Sequence, residues 1–256
     1  MAVNYIPDGP VGFITLDQPP ANSYDLAFMT EFSNTVDEAM SDSTRAVVVQ
    51  SGNSKFFSAG ADIKRFLEGD VDANMEMIRV SQAAFRRMAA APQVFIAYIA
   101  GHALGGGLEI ALACDIRLAA AGPYKLGLPE VTLGLLPGNG GTQRLTRLIG
   151  PSRALELLIS GRTYSVHDAR EMGLVADIYD PEEAGKKVRE YAERLAAGAA
   201  VAQAAIKRCV YEGGEKTLDE GLALEAELME MLFRTKDADE GLTAFVEKRK
   251  AEFVGA

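Results

Sequence analysis

The run Val94-Phe-Ile-Ala-Tyr-Ile-Ala100 passes directly into Gly101-His-Ala-Leu-Gly-Gly-Gly107 and then into Leu108-Glu-Ile-Ala-Leu-Ala-Cys114. Seven residues without a charge, rich in β-branched and aromatic side chains, read as a strand buried on both faces. The glycines break it, and the apolar run behind them has the length of a short buried helix. The same alternation recurs outward from this stretch. Ala46-Val-Val-Val-Gln50 is a second continuous run, ending at Gly52. Val11-Gly-Phe-Ile-Thr-Leu16 alternates faces and ends at Pro19-Pro20, and Asp25 to Met40 between them has helical spacing. Ile116-Arg-Leu-Ala119 and Gly173-Leu-Val-Ala-Asp-Ile-Tyr179 read as further strands. Strand, helix, strand at this spacing implies parallel pairing through right-handed crossovers, hence an α/β fold.

After residue 180 the pattern changes to helix alone. Asp180-Pro181 reads as an N-cap with proline at the first helical position, and Lys186 to Ala197 continues the period. Gly213-Gly214 interrupts, Leu218 to Phe233 forms a long Glu/Leu/Met helix, and Asp237-Ala-Asp-Glu240 reads as the start of a last helix reaching Phe253. The expected organisation is a core over 1–180 and a helical module over 181–256. No internal repeat or low-complexity linker divides them.

Composition bounds the function. The chain has 256 residues, 48% of them hydrophobic and 7% aromatic, with no tryptophan, which calls for an aliphatic core. A net charge of −10 argues against nucleic acid or an anionic membrane as partner, though a local positive cluster could still capture an anionic substrate. Two cysteines, Cys114 and Cys209, cannot build a disulfide framework. There is no basic-apolar leader, and no apolar run reaches the roughly 18 residues of a membrane span, so a cytoplasmic location is expected.

Two segments place small residues between a buried strand and a helix: Phe57-Ser-Ala-Gly-Ala-Asp-Ile-Lys64 and Gly105-Gly-Gly-Leu-Glu109. Such loops let a ligand approach the backbone, and unpaired N–H groups at a helix start can be aimed at one oxygen. They could equally be tight corners. Neither dinucleotide nor Walker spacing is present, there is no G-x-S-x-G elbow, and no Cys/His cluster has metal-ligand spacing. His102 reads as a satisfied loop histidine and His167 as decoration of the capping box Ser165-Val-His-Asp168. Glu109 is the odd residue, because its neighbours are all apolar and a buried carboxylate needs a partner or a function. Glu130, in Leu128-Pro-Glu-Val-Thr-Leu-Gly134, is another lone acid, beside Pro137-Gly-Asn-Gly-Gly141. Read alone, Glu109 could be a carboxylate at a helix start and Glu130 an exposed turn acid.

These segments, taken with Ala113-Cys-Asp115, Leu128-Pro-Glu130 and Leu135-Leu-Pro-Gly-Asn-Gly-Gly-Thr-Gln-Arg-Leu145, resemble the successive signatures of the crotonase superfamily. Gly241-Leu-Thr-Ala-Phe-Val-Glu-Lys-Arg-Lys-Ala-Glu-Phe253 is similar to the closing helix of its enoyl-CoA hydratases. The likeness spans nearly the whole chain, in order. It implies a spiral of ββα turns with a C-terminal helical trimerisation module, assembled as a homotrimer or a hexamer made as a dimer of trimers. It implies water addition across the 2,3 double bond of an enoyl-CoA, with Glu109 and Glu130 flanking that bond and the N–H groups of Ala61 and Gly106 on the thioester oxygen. Coenzyme A, part of the substrate rather than a cofactor, would lie along Ala59, Gly60, Asp62, Ile63 and Lys64. Phe245 and Lys248 would stand near its adenine. No metal is implied. The competing expectations are an isomerase or another acyl-CoA reaction, and a non-catalytic acyl-CoA-binding relative.

Two departures from the pattern stand out. Ala21-Asn-Ser-Tyr-Asp-Leu26 replaces an Asn-Ala-Leu type run, and the two acids are one residue further apart than the resemblance leads us to expect. A longer hairpin in Ala119-Ala-Ala-Gly-Pro-Tyr124 would absorb the second. The Tyr24 region would bear on the substrate.

Overall fold

Continuous β-branched runs become the centre of a sheet, and the glycine-rich joints that follow them become its working edge. The computed structural model describes residues 1–68 and 70–256. In chain order, β1 (Val3–Asp8), β2 (Val11–Leu16) and β3 (Ser23–Tyr24) precede α1 (Leu26–Ser41). Then come β4 (Ala46–Ser51), β5 (Phe56–Ser58), β6 (Gly60–Ala61), α2 (Ile63–Glu68) and α3 (Val71–Ala90). The next unit is β7 (Val94–Ile99), β8 (His102–Leu104) and α4 (Gly106–Ala113), followed by β9 (Ile116–Ala120) and β10 (Leu126–Gly127). A 3₁₀ turn (Glu130–Leu133), α5 (Gly141–Ile149), α6 (Pro151–Ser160), α7 (Val166–Glu171) and β11 (Asp177–Tyr179) complete the sheet-bearing part. Four helices follow: α8 (Ala184–Ala196), α9 (Ala200–Gly213), α10 (Leu218–Leu232) and α11 (Lys236–Glu247).

The main sheet has the order β1-β2-β4-β7-β9-β11 and is parallel except where β1 meets β2. Alternate residues of the central strands serve two cores. Val47, Val49, Phe95, Ala97 and Ile99 pack with α1, α3 and α4, whereas Ala46, Val48, Ile96 and Leu118 meet Val188, Ala192 and Ala196 of α8. That double burial is why these strands carry unbroken apolar runs rather than alternation. A small parallel sheet, β10-β8-β5, and the pair β3-β6 sit at the strand ends and carry the two glycine loops.

Local endings differ from the sequence expectations in three places. Residues 181–183 form a turn, with the Asp180 carbonyl accepting from Glu183 and Ala184, so α8 begins a turn later than the proline suggested. Only Asp177–Tyr179 of the expected strand pairs, because Gly173 is in the left-handed region (φ +79°) and turns the chain after α7. The last helix starts from Thr235, whose hydroxyl accepts from Ala238 N–H, and stops at Glu247. Asp237 is buried there for a different purpose: its carboxylate accepts from Val254 (2.7 Å) and Gly255 (2.9 Å), so residues 249–256 fold back over the helix start instead of extending it.

Candidate active site

The two loops meet backbone to backbone. Gly60 has φ +88°, and a β-carbon on it would lie 2.8 Å from the Leu104 carbonyl and 3.0 Å from the Gly106 nitrogen. Only glycine permits that conformation and approach together. Gly106 opens α4, so its N–H precedes the helical ladder, and no capping side chain takes it. In the β3-β6 pair the Tyr24 carbonyl accepts from Asp62 (2.8 Å), while Ala61 stands opposite Tyr24 in the register.

Glu109 lies one turn into α4 and is 2% exposed. Its Oε1 accepts from the backbone N–H groups of Gly141 (2.7 Å) and Asn139 (2.8 Å). Burial pushes its carboxyl up to about 7; the Gly141 amide pulls back, the Glu130 charge adds to the rise, and the Asn139 amide and Arg144 oppose it. Gly141 is required by space: a β-carbon would sit 2.8 Å from Pro137 Cβ, 2.9 Å from Leu128 Cδ1 and 3.0 Å from Glu109 Oε1. Glu130 opens the 3₁₀ turn and reaches over Gly105, its Oε1 3.0 Å from where a Gly105 β-carbon would be. Its Oε2 is buried with no hydrogen-bond partner among the described residues. Burial raises this carboxyl, too, to about 7, against its own backbone amide.

Both acids line one cavity of about 550 Å³, with Ala59, Gly60, Ala61, Gly105 and Gly106 at the same end. Most of the rest of the wall is apolar, with Phe66, Met75 and Ile78 from the helices after the first loop and Leu133, Leu135 and Leu136 from the segment after Glu130; Tyr24, Asn74 and Asn139 are its polar side chains. Among the described residues lining it there is no lysine, arginine or histidine. Two carboxyls near neutrality can therefore share one proton, one as base and one as acid, beside an unused helix-start amide.

Residues 8–256 match the enoyl-CoA hydratase/isomerase family. The chain belongs to that family. A probable enoyl-CoA hydratase of Bacillus subtilis (strain 168) is 39% identical over 257 residues, covering 99% of each chain. The 2,3-dehydroadipyl-CoA hydratase of Escherichia coli (strain K12) is 36% identical over 243 residues, 94% of each. The crystal structure of an enoyl-CoA hydratase from Geobacillus kaustophilus HTA426 superposes with a TM-score of 0.97 at 42% identity, covering 100% of this chain and 97% of that one. The architecture is accordingly the crotonase fold.

Within this family member, Glu109, Glu130, Ala61, Gly106, Ala59, Gly60 and Ile63 all border the cavity. Asp62 lines a smaller adjoining cavity of about 220 Å³, together with Asp25 and Arg65. Lys64, Phe245 and Lys248 border neither within one chain. Phe245 is 84% exposed on α11 and Lys248 ends that helix in the left-handed region. His102 opens strand β8 rather than lying in a loop, and it takes the Lys125 N–H on Nδ1 (3.0 Å), outside the cavity. Sequence reading missed Asn139 and Gly141 as the amides that hold Glu109; it set their loop beside Glu130. It noticed Tyr24 only as a departure from pattern, whereas the side chain is buried inside the cavity wall.

Proposed function

We propose that the chain hydrates 2-enoyl-CoA thioesters reversibly to 3-hydroxyacyl-CoA, and the observation that carries this is the pair of carboxyls, Glu109 buried and Glu130 half-buried, each raised to about 7, that line one mostly apolar cavity. The thioester oxygen sits against the N–H groups of Ala61 and Gly106, which stabilise charge as it develops there. Glu109, biased toward the anion by two amides, holds the water and takes its proton as the oxygen bonds to C3. The C2–C3 π electrons move toward the thioester oxygen, and protonated Glu130 returns a proton to C2. Water and one proton relay balance the reaction, so this reading calls for no metal and no redox cofactor. Coenzyme A arrives as part of the substrate.

The apolar side chains left exposed on the C-terminal helices, among them Met229, Phe233, Leu242 and Phe245, support a homotrimeric or hexameric assembly through residues 181–256. In it Phe245 and Lys248 reach a coenzyme A site, and Lys64 and Asp62 lie along that site's mouth. Among the described residues no helix is long and apolar enough to cross a membrane. A cytoplasmic location goes with this reading.

Purified protein should convert crotonyl-CoA to 3-hydroxybutyryl-CoA, with ¹⁸O from labelled water on C3. Thioester isomerisation or hydrolysis without that label would contradict the hydratase reading.

A further inference from the structure

The cavity holds a polar device that the two-acid reaction leaves unused. Tyr24 is 2% exposed, its ring stacked on Phe28 with centroids 6.1 Å apart. Its hydroxyl lies 1.6 Å from where a β-carbon on Gly106 would be, directly against the proposed oxyanion donor. Asn139 Nδ2 donates to that hydroxyl at 2.7 Å. The same Asn139 donates its backbone N–H to Glu109 Oε1 at 2.8 Å, so one residue ties the phenol to the acid that would hold water. Two polar positions are left over: the Tyr24 O–H has no acceptor among the described residues, and the buried Asn139 Oδ1 has no partner. Burial, then Glu109 and Glu130, push the phenol well above its ordinary pKa, so it stays protonated and keeps a hydrogen to donate to a ligand. An unspent donor in such a place costs stability unless something bound there accepts it.

We propose that Tyr24 is a third catalytic hydrogen-bonding group, its phenolic O–H donating to the oxygen that joins or leaves C3, with Asn139 as the positioning residue that aims it. The inference rests on the hydratase reading. The thioester oxygen has its own backbone amides, and the link through Asn139 puts the phenol on the Glu109 flank, where the reacting water is held. Donation to that oxygen orients its lone pair toward C3 in the forward direction and marks the 3-hydroxyl in the reverse one.

Tyr24→Phe keeps the ring and its stacking and removes only the hydroxyl. We expect crotonyl-CoA hydration to fall about tenfold, the scale of one hydrogen bond. Butyryl-CoA should bind as before, while the wild-type preference for 3-hydroxybutyryl-CoA over butyryl-CoA should disappear. A retained preference overturns the inference. Equal weakening of both thioesters also overturns it, because the phenol would then serve the carbonyl. Asn139→Ala keeps the amide to Glu109 and releases the phenol, so a smaller loss of the same preference is required, and its absence is decisive even if Tyr24→Phe does not fold. Wild-type protein inactive on enoyl-CoA removes the hydratase reading and this one with it; active wild type with unaltered variants removes this one alone.

Discussion

Two of the places where the chain buries charge are treated in opposite ways. Lys207, 8% exposed on α9, gives its ammonium hydrogens to Asp115 (2.8 Å) and to the carbonyls of Met88 (2.7 Å) and Gln93 (2.8 Å). Asp115 in turn accepts from Phe95 N–H (2.7 Å), so the cluster pins α9 and the end of α3 to the start of β7. Glu109 and Glu130 have no such cation in contact; amides or nothing meet their oxygens. A buried carboxylate with a cation in contact holds elements together, even with Asp115 Oδ1 unpartnered among the described residues, and one without a cation keeps its proton negotiable. The difference separates a fastening from the proposed reactive centre inside one small protein.

The sharpest break of that contrast is at the acids. Glu109→Gln and Glu130→Gln should each remain folded and each lose about 10²–10⁴-fold in hydration, the usual scale for acid–base function. The double variant should lose far less than the product, since in the proposed reaction both act on one water and one transition state. Steady-state rates with crotonyl-CoA, set beside the circular dichroism of each variant, decide it. Wild-type turnover in either single variant would dismiss the two-acid account.

Lys207→Met should do the reverse. Asp115 is left buried without its cation, at a cost of about 3–5 kcal/mol in folding, with turnover per folded molecule little changed. Denaturant melts and active-site-normalised rates measure both. A variant as stable as the wild type would mean that water already satisfies Asp115.

The pH dependence sharpens the comparison further. Both glutamates ionise near 4.5 unfolded and near 7 folded, so the stability they confer is complete below about 4.5 and is lost as pH rises through about 7. The melting temperature of Glu109→Gln relative to wild type should therefore climb between pH 5 and pH 8. Hydration, needing one acid charged and the other protonated, should peak near pH 7 and fall on both sides, with apparent values belonging to the pair. A flat rate profile would argue against shared protons. At the small end lies the exposed Arg162–Glu156 pair (2.8 Å), where Arg162→Ala should leave both melting temperature and rate within experimental scatter.

The sequence displayed the scaffold because strand positions buried on both faces must be apolar, as in residues 46–49 and Val94–Ile99. It displayed Glu109 for the same reason, a carboxylate set in an otherwise uninterrupted apolar helix. It hid the amides on Glu109, since Asn139 and Gly141 reach it only when a loop thirty residues away closes over α4. Asp237 misled by type: an acid beside a helix start reads as a cap, yet here it receives the amides of a returning tail. Tyr24 was visible as an oddity without a meaning, because a phenol in a short strand is ordinary until Gly106 is known to lie against its hydroxyl.

The pairing of β4 with β7 aligns Val49 with Ala97. Both glycine loops lie a short strand beyond these two, after β5 and β8, so the sheet acts as a ruler for their placement. A slip of one residue along that ladder would move one loop by about 3.3 Å against the other and exchange which side chains face α8. Two amides serving one oxygen tolerate only about 0.5 Å. The large aliphatic side chains that forbid the slip thus set the aim of the proposed donors from a distance, and thinning the sheet interior should blur catalysis before it unfolds the protein.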